Sequence, residues 1–151
     1  MYDYGTHKLK YRGYDKKRKQ WFYGSFLPHI NREPCAMDDE LKEEDITYWI
    51  IFEVMVDWNL PRQSKSVVVD KHSLGMFTGW KDVANKEIYE GDIVVVNGDI
   101  FSVDWNFGTC KFEFTSINDI LISFDFSDIY ENDIEVIGNI YENGDEFGCE
   151  D

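Results

Sequence analysis

Asn97-Gly98 sits between two runs whose apolar side chains recur at every second position, and that pattern restricts the chain more than any other feature does. Ile93 and Val95 share one face of the incoming run, and Phe101, Val103 and Trp105 line one face of the returning run. Asn-Gly accepts positive φ at both central positions of a type I′ turn, so the segment reads as a tight β-hairpin. Asn106-Phe-Gly108 marks a second turn, after which Cys110, Phe112 and Phe114 are expected to face inward against Thr109, Lys111 and Glu113 outward. The result is an antiparallel meander. Ile120 to Phe124 supplies a further short strand and Ile134 to Tyr141 a closing one, so the second half predicts a small barrel or roll and not a parallel sheet.

Upstream the period is again two. Lys8, Lys10 and Arg12 alternate with Leu9 and Tyr11, as in a strand with a basic outer face. Asp15 to Lys19 reads as a turn, and Trp21 to Leu27 returns with aromatics on both faces, giving a hairpin with a strongly basic loop. Pro28 and Pro34 bracket irregular chain. Asp38 to Asp45 has helix-forming residues but only Leu41 to anchor an apolar stripe, so a short exposed helix or an acidic loop is expected, and this is the least ordered stretch. Ile46 to Val56 reads as a mostly buried strand, and Ser64 to Asp70 as another after the Asn59-Leu-Pro61 turn. The fold class is therefore mainly β, or β-rich α+β at most. The expected organisation is an N-terminal hairpin region with a variable insertion over 1–76, a barrel region over 77–144 and an acidic tail over 145–151, in one compact unit.

A chain of 151 residues can bury a core without metal or disulfide support. Its three cysteines, Cys35, Cys110 and Cys149, are far apart and odd in number, which indicates neither a disulfide framework nor a zinc site and fits a reducing bacterial cytoplasm. The apolar run from Trp49 to Val56 is interrupted by Glu53 and falls short of the roughly 20 residues that a bilayer requires. The formal charge of −15 is unevenly distributed. Residues 1–80 hold 12 Lys+Arg and 12 Asp+Glu, whereas residues 81–151 hold 3 and 18. That field repels nucleic acid from the second half and favours basic partners.

Three blocks of wording occur in one order along the chain. Lys10-Tyr-Arg12 with Tyr14-Asp15 and Tyr23-Gly24 comes first; Phe77-Thr-Gly79, Lys81-Asp82 and Lys86-Glu-Ile-Tyr-Glu-Gly-Asp-Ile-Val94 follow; Glu135-Val-Ile-Gly-Asn-Ile-Tyr-Glu-Asn143 closes. In these blocks the chain resembles the phage and prophage proteins related to YopX. The resemblance implies a mainly β protein with an SH3-like barrel in its second half and carries no reaction with it. Residues 28–69 take no part in it. Where the family has a glycine-containing turn this chain has Val83-Ala-Asn85, and Asn85 is the residue best able to adopt the left-handed conformation there. Gly144-Asp145 replaces the family's closing proline, so a frayed end is expected.

No catalytic constellation can be assembled. His7, His29 and His72 lie in separate polar settings, and the carboxylates Asp125, Asp128, Glu131, Asp133 and Glu135 fail the EF-hand spacing. Cys110 reads as a small core hydrophobe, and Cys35 and Cys149 lack a neighbouring base. Neither an enzyme, a cofactor nor a metal site is expected. Gly79, Asn85, Gly91, Asp92, Asn97 and Gly98 read as turn residues, with Gly91 allowing a tight strand entry and Asp92 bonding nearby backbone amides.

The candidate contact surface is the basic hairpin. Lys8, Lys10, Arg12, Lys16, Lys17, Arg18 and Lys19 stand beside Trp21, and cations next to aromatics can hold phosphates and stack bases. The leading expectation is nonetheless a non-enzymatic phage or prophage accessory protein, a β-rich interaction module. It would self-associate or bind a host or phage protein, with no membrane partner. Edge lysines commonly serve to prevent sheet aggregation, and an acidic half could receive the basic hairpin of another copy. The alternatives are a nucleic-acid module using that hairpin, or a DNA mimic requiring Asp92, Asp104, Glu113 and Asp133 in rows on one surface.

Overall fold

The period-two alternation is realised as strands over 55% of the described chain; the structure is a computed structural model that describes residues 9–35, 39–118, 123–126 and 134–148. These divide into two compact units, one up to Leu74 and one from Gly75. The mainly β expectation holds, and a single short helix accompanies the strands.

The first unit is a four-stranded antiparallel sheet built from β1 (Tyr11–Asp15), β2 (Gln20–Ile30), β3 (Ile46–Val54) and β4 (Gln63–Val68), in spatial order β4-β3-β2-β1. β2 changes partner along its length: Gln20 to Gly24 pair with β1, and Ser25 to Ile30 pair with β3. Gly24 stands at the hand-over, where a Cβ would lie 2.0 Å from the Ile51 carbonyl oxygen, so the approach of β3 admits only glycine. Past that point β2 has no β1 residue beside it, and such an edge tolerates Pro28, which stays in the strand opposite Tyr48 instead of starting irregular chain. The core of the unit is Ile50, Val67 and Val69, closed over by Tyr11, Phe22, Phe26, Tyr48, Phe52 and Leu74.

From Asp39 onward the acidic insertion holds a short exposed helical turn, one of the two forms expected for it. A 3₁₀ turn forms at Glu43–Asp45, and the Arg32 guanidinium clamps Asp39 at 2.6 Å and Asp45 at 2.9 Å. One forked cation thus fastens two carboxylates. Both are held below the usual aspartate range by the hydrogen bonds from Arg32.

The second unit contains the hairpin β5 (Gly75–Lys81) and β6 (Glu87–Tyr89) and a five-stranded antiparallel sheet. That sheet comprises β7 (Asp92–Val96), β8 (Asp99–Asn106), β9 (Lys111–Ser116), β10 (Ser123–Asp125) and β11 (Ile134–Asn139), in order β10-β9-β8-β7-β11. The expected meander is β7-β8-β9. Asn97 (φ 53) and Gly98 (φ 93) form its first turn between paired Val96 and Asp99, as a type I′ turn requires. Val94, Val96, Phe101, Val103, Phe114, Phe126, Ile88 and Ile134 make the core, and Ile93 is fully buried as well, so β7 is covered on both faces.

Two expectations for this half are corrected. The SH3-like barrel does not close among the described residues: β10 and β11 are the two edges of an open sheet and do not pair with each other. Closure needs consistent tilt and stagger around every strand. Here β10 is only three residues long, and β11 is offset by a bulge between Val136 and Gly138. The closing strand is also shorter than expected, because Ile140–Phe147 is a helix, α1. Asn139 caps it, its Oδ1 accepting from Glu142 N at 2.9 Å, and Gly148 ends it with φ 70. The closing block of wording therefore encodes a strand-to-helix switch. α1 is too short to cross a membrane, and none of the described helices is long and apolar enough to do so.

Candidate functional site

The turn residues build the frame of the second unit. Gly79 (φ 90) offsets the register of β5 against β6, with open space around its Cα. Asn85 (φ 64) takes the left-handed place in the 82–86 turn, where Asp82 Oδ1 accepts from Ala84 N at 2.9 Å and Lys86 N at 2.8 Å. Gly91 (φ 79) donates its N–H to the Val103 carbonyl at 2.8 Å. Asp92 is 1% exposed, and its carboxylate accepts from Tyr89 N at 2.8 Å. A buried carboxylate engaged by backbone amides locks a turn and leaves no group on the surface. That removes Asp92 from any surface row of carboxylates, as the DNA-mimic expectation would need. Asp104 and Glu113 do face each other across β8 and β9, but Asp104 binds Ser102 Oγ and Glu113 binds Asn106 and Thr109; Asp133 lies outside the described residues.

The frame opens a cleft of about 400 Å³ lined by Thr78, Trp80, Trp105, Cys110, Lys111, Phe112, Asp125 and Phe126. β5 contributes Thr78 and Trp80, flanking the bulge at Gly79, and Thr78 Oγ1 is tied to the Ile88 carbonyl at 2.8 Å. β8 and β9 contribute Trp105 and Phe112, which are register partners packed edge to face with centroids 4.9 Å apart. Trp80 packs on Phe126 at 5.3 Å. At the rim Lys111 Nζ donates to Asp125 Oδ2 at 3.0 Å. The volume lies in the range of small-ligand and side-chain pockets, and its walls combine apolar aromatics with few polar groups, as binding sites do.

Cys110 lies at this rim and not in the core. It occupies the β8–β9 turn with φ 54, exposed, its thiol directed at the Phe107 carbonyl. The alternation places an inward residue at 110 only if the strand has begun, and the turn extends through Cys110 instead.

The basic hairpin is present, but its charges are largely engaged. Asp15 accepts from Lys17 N at 2.8 Å, Arg18 N at 3.2 Å and Arg18 Nη1 at 2.7 Å, and the Arg18 hydrogen bond draws its carboxyl below the usual range. Lys16 pairs with Asp70. Arg12, expected on the outer face, is 7% exposed, its guanidinium 4.9 Å over the Trp21 ring. A planar, weakly hydrated cation stacks on an indole where an ammonium would stay in water. Leu9, expected inside, is exposed, and Lys10 Nζ lies 5.7 Å over Tyr23. Lys17 and Lys19 are exposed, and Lys8 lies outside the described residues. Lys10, Arg12, Arg18 and Trp21 are thus engaged within the hairpin, and Lys16 by Asp70 beyond β4.

A surface that sequence reasoning missed is the β3–β4 loop. Met55, Val56, Trp58 and Leu60 are all exposed, Trp58 to 83%. The turn wording Asn59-Leu-Pro61 marked the loop, but only burial separates an apolar loop from a strand end. Among the described residues no three His, Cys, Asp or Glu side chains converge in a way that could hold a metal.

Comparison with known proteins gives a family and a fold. A family model described as "YopX protein" matches residues 10–145. Among solved structures, the crystal structure of protein EF1440 from Enterococcus faecalis superposes with a TM-score of 0.51 at 20% identity, covering 92% of this chain and 97% of that one. A comparison with curated proteins gives no match.

Proposed function

The chain belongs to the YopX family, and on that footing we propose that it is a non-enzymatic phage or prophage accessory protein acting through protein contacts in the bacterial cytoplasm. The observation that carries the reading is the aromatic cleft, where Trp80, Trp105, Phe112 and Phe126 offer a partner segment an anchor pocket of about 400 Å³. Aromatic anchor pockets with few polar groups concentrate binding energy in this way. Among the described residues the cleft pairs its one carboxylate with its one ammonium, Asp125 with Lys111, and so supports a binding role better than acid–base work.

Self-association belongs to the same reading. The exposed tip of Met55, Val56, Trp58 and Leu60 is flanked by Glu53, Asp57, Arg62 and Lys65, whose charges cancel. Such a tip suits a protein surface better than an anionic membrane or a phosphate backbone. A second copy is the partner we assign to it.

A random peptide library selected on the immobilised full chain tests the cleft. Enriched peptides whose binding is lost in Trp105→Ala support the reading. If no sequence is enriched, or if Trp105→Ala binds the enriched sequences as tightly as the parent does, the reading is wrong.

A further inference from the structure

Resting on the reading of the cleft as a protein-binding site, we infer that its specific ligand is a cationic side chain, a guanidinium above all, presented by a basic segment of the partner. Three separate observations converge on that chemistry. The walls are two aromatic pairs, Trp80 with Phe126 and Trp105 with Phe112, and the negative face of an indole attracts a cation that has shed its water. Asp125 lies at the rim with its side chain 31% exposed, and it already holds a cation, the Lys111 ammonium at 3.0 Å. The chain from Gly75 onward carries 3 Lys+Arg against 18 Asp+Glu, a field that concentrates cations and repels anions.

Guanidinium suits the site better than ammonium. It is planar, weakly hydrated and forked, so it can lie against an indole face while donating two parallel hydrogen bonds to one carboxylate. Lys111 is then the internal competitor. Its ammonium is 60% exposed and can return to water when a partner's arginine takes Asp125, and an exposed ion pair of this kind contributes little to the fold. An anionic ligand is disfavoured by the same arrangement, because the Lys111 ammonium at the rim is already matched.

The test uses the full chain and three synthetic pentapeptides, Gly-Ser-X-Ser-Gly, with X arginine, citrulline or leucine, measured by calorimetry and by tryptophan fluorescence. Citrulline keeps the shape of arginine and removes its charge. The arginine peptide is expected to bind about tenfold tighter than the citrulline peptide, the scale of a desolvated cation–π contact. Asp125→Asn should remove most of that preference, and Lys111→Met, which deletes the competitor and keeps the four aromatic side chains, should tighten the arginine peptide severalfold. Added salt should weaken arginine binding and leave leucine binding unchanged.

Equal affinity for arginine and citrulline, no binding of either, or weaker arginine binding by Lys111→Met overturns the inference. Circular dichroism on both variants separates loss of fold from loss of recognition. Should the peptide library return neutral apolar sequences that depend on Trp105 while arginine and citrulline bind alike, the protein-binding reading stands and only the cation assignment falls.

Discussion

The backbone N–H of Val136 donates to Asp82 Oδ2 at 3.2 Å across 54 positions of chain, joining the turn of the first hairpin in the second unit to the last strand of its sheet. Val83 N donates to the Ile134 carbonyl beside it at 3.0 Å. Asp82 is buried and serves three backbone donors, two within its own turn and one on β11. One carboxylate therefore does two jobs, shaping a turn and fixing the edge of the sheet that lines the cleft.

Replacing Asp82 with Ala strands these donors in a buried place, so stability should fall by about 3 kcal/mol, the penalty of unmade bonds to a charged acceptor. Asp82→Asn retains one carbonyl acceptor and should cost roughly half as much. Chemical denaturation of both variants is the measurement, and a loss near zero for Ala would mean that the bond to Val136 is not a tether.

The strands were legible because their signals are local. Asn97-Gly98 needs only its own φ values, and Phe101, Val103 and Phe114 follow from period two, whereas β7 turns Val94 and Val96 into that core and not the Ile93–Val95 face of the alternation. Asn85 and Gly91 likewise fell into left-handed positions for reasons visible in the residues themselves. The helix α1 was not legible by periodicity, since its stripe of Ile140, Gly144 and Phe147 spans only eight residues, too few to set a period. The Asn139-x-x-Glu142 spacing, in which Asn139 Nδ2 also donates to Glu142 Oε2 at 2.8 Å, was the available start signal. The cleft could not be read at all, because Trp80 and Trp105 come from strands far apart in sequence and Phe126 follows β10. Periodicity marks Trp80 and Trp105 as core without saying that they stop short of it, and Phe126 is a core residue that also lines the cleft. Burial of Arg12 was hidden for the same reason: the indole beneath it belongs to the partner strand.

Gly24 and Gly79 should respond differently to the same methyl group. At Gly24 a Cβ would overlap the Ile51 carbonyl, a backbone atom that cannot move alone, so Gly24→Ala should cost about 3 kcal/mol or more. At Gly79 the surrounding space is open and only φ 90 resists, which predicts a loss of about 1–2 kcal/mol. Thermal melts of the two variants compared side by side check the order, and equal losses would contradict the close approach at Gly24.

Acid should destabilise the unit up to Leu74. Asp15, Asp39 and Asp45 are each drawn below the ordinary value of 3.8 by arginine hydrogen bonds, and Glu43 below 4.5 by Lys71. A depressed folded-state value means that the unfolded chain binds more protons in that window, so this stability is present above the ordinary values and is lost as pH falls through the depressed ones. Lys71 behaves in the opposite sense, its value raised above 10.5 by Glu43, so its contribution persists through that pH and is lost beyond it. Arg32→Met should flatten the acid limb of the stability profile, and an unchanged limb would show that the Asp39–Arg32–Asp45 clamp does not contribute.

Trp58 should be dispensable to the fold and needed for association. It makes little contact with its own chain at 83% exposure, so Trp58→Ser should change stability by no more than about 0.5 kcal/mol. Sedimentation of the parent and the variant over a concentration series should show assembly in the first and its loss in the second. A parent that stays monomeric, or a variant that assembles equally, removes the tip from the interface.

The basic loop offers a sharp contrast with the cleft. If nucleic acid were its ligand, changing Lys16, Lys17, Arg18 and Lys19 together to Ala would abolish low-salt binding and leave the fold intact. The contacts argue for the reverse. Lys16 is matched by Asp70 and Arg18 by Asp15, so only Lys17 and Lys19 carry their charge outward without an acidic partner among the described residues. Two phosphate contacts would release about two counterions and give a correspondingly shallow salt dependence. Trp21, lying beneath Arg12 and edge to face with Tyr14 at 5.4 Å, is already occupied as a stacking platform. The expected result is therefore little binding of single- or double-stranded DNA by the parent in mobility assays at low salt. The fourfold variant should instead lose stability, because Asp15 and Asp70 are left without their cations. Tight, salt-sensitive binding that disappears in a fully folded fourfold variant would reverse this assignment and make the hairpin the functional surface.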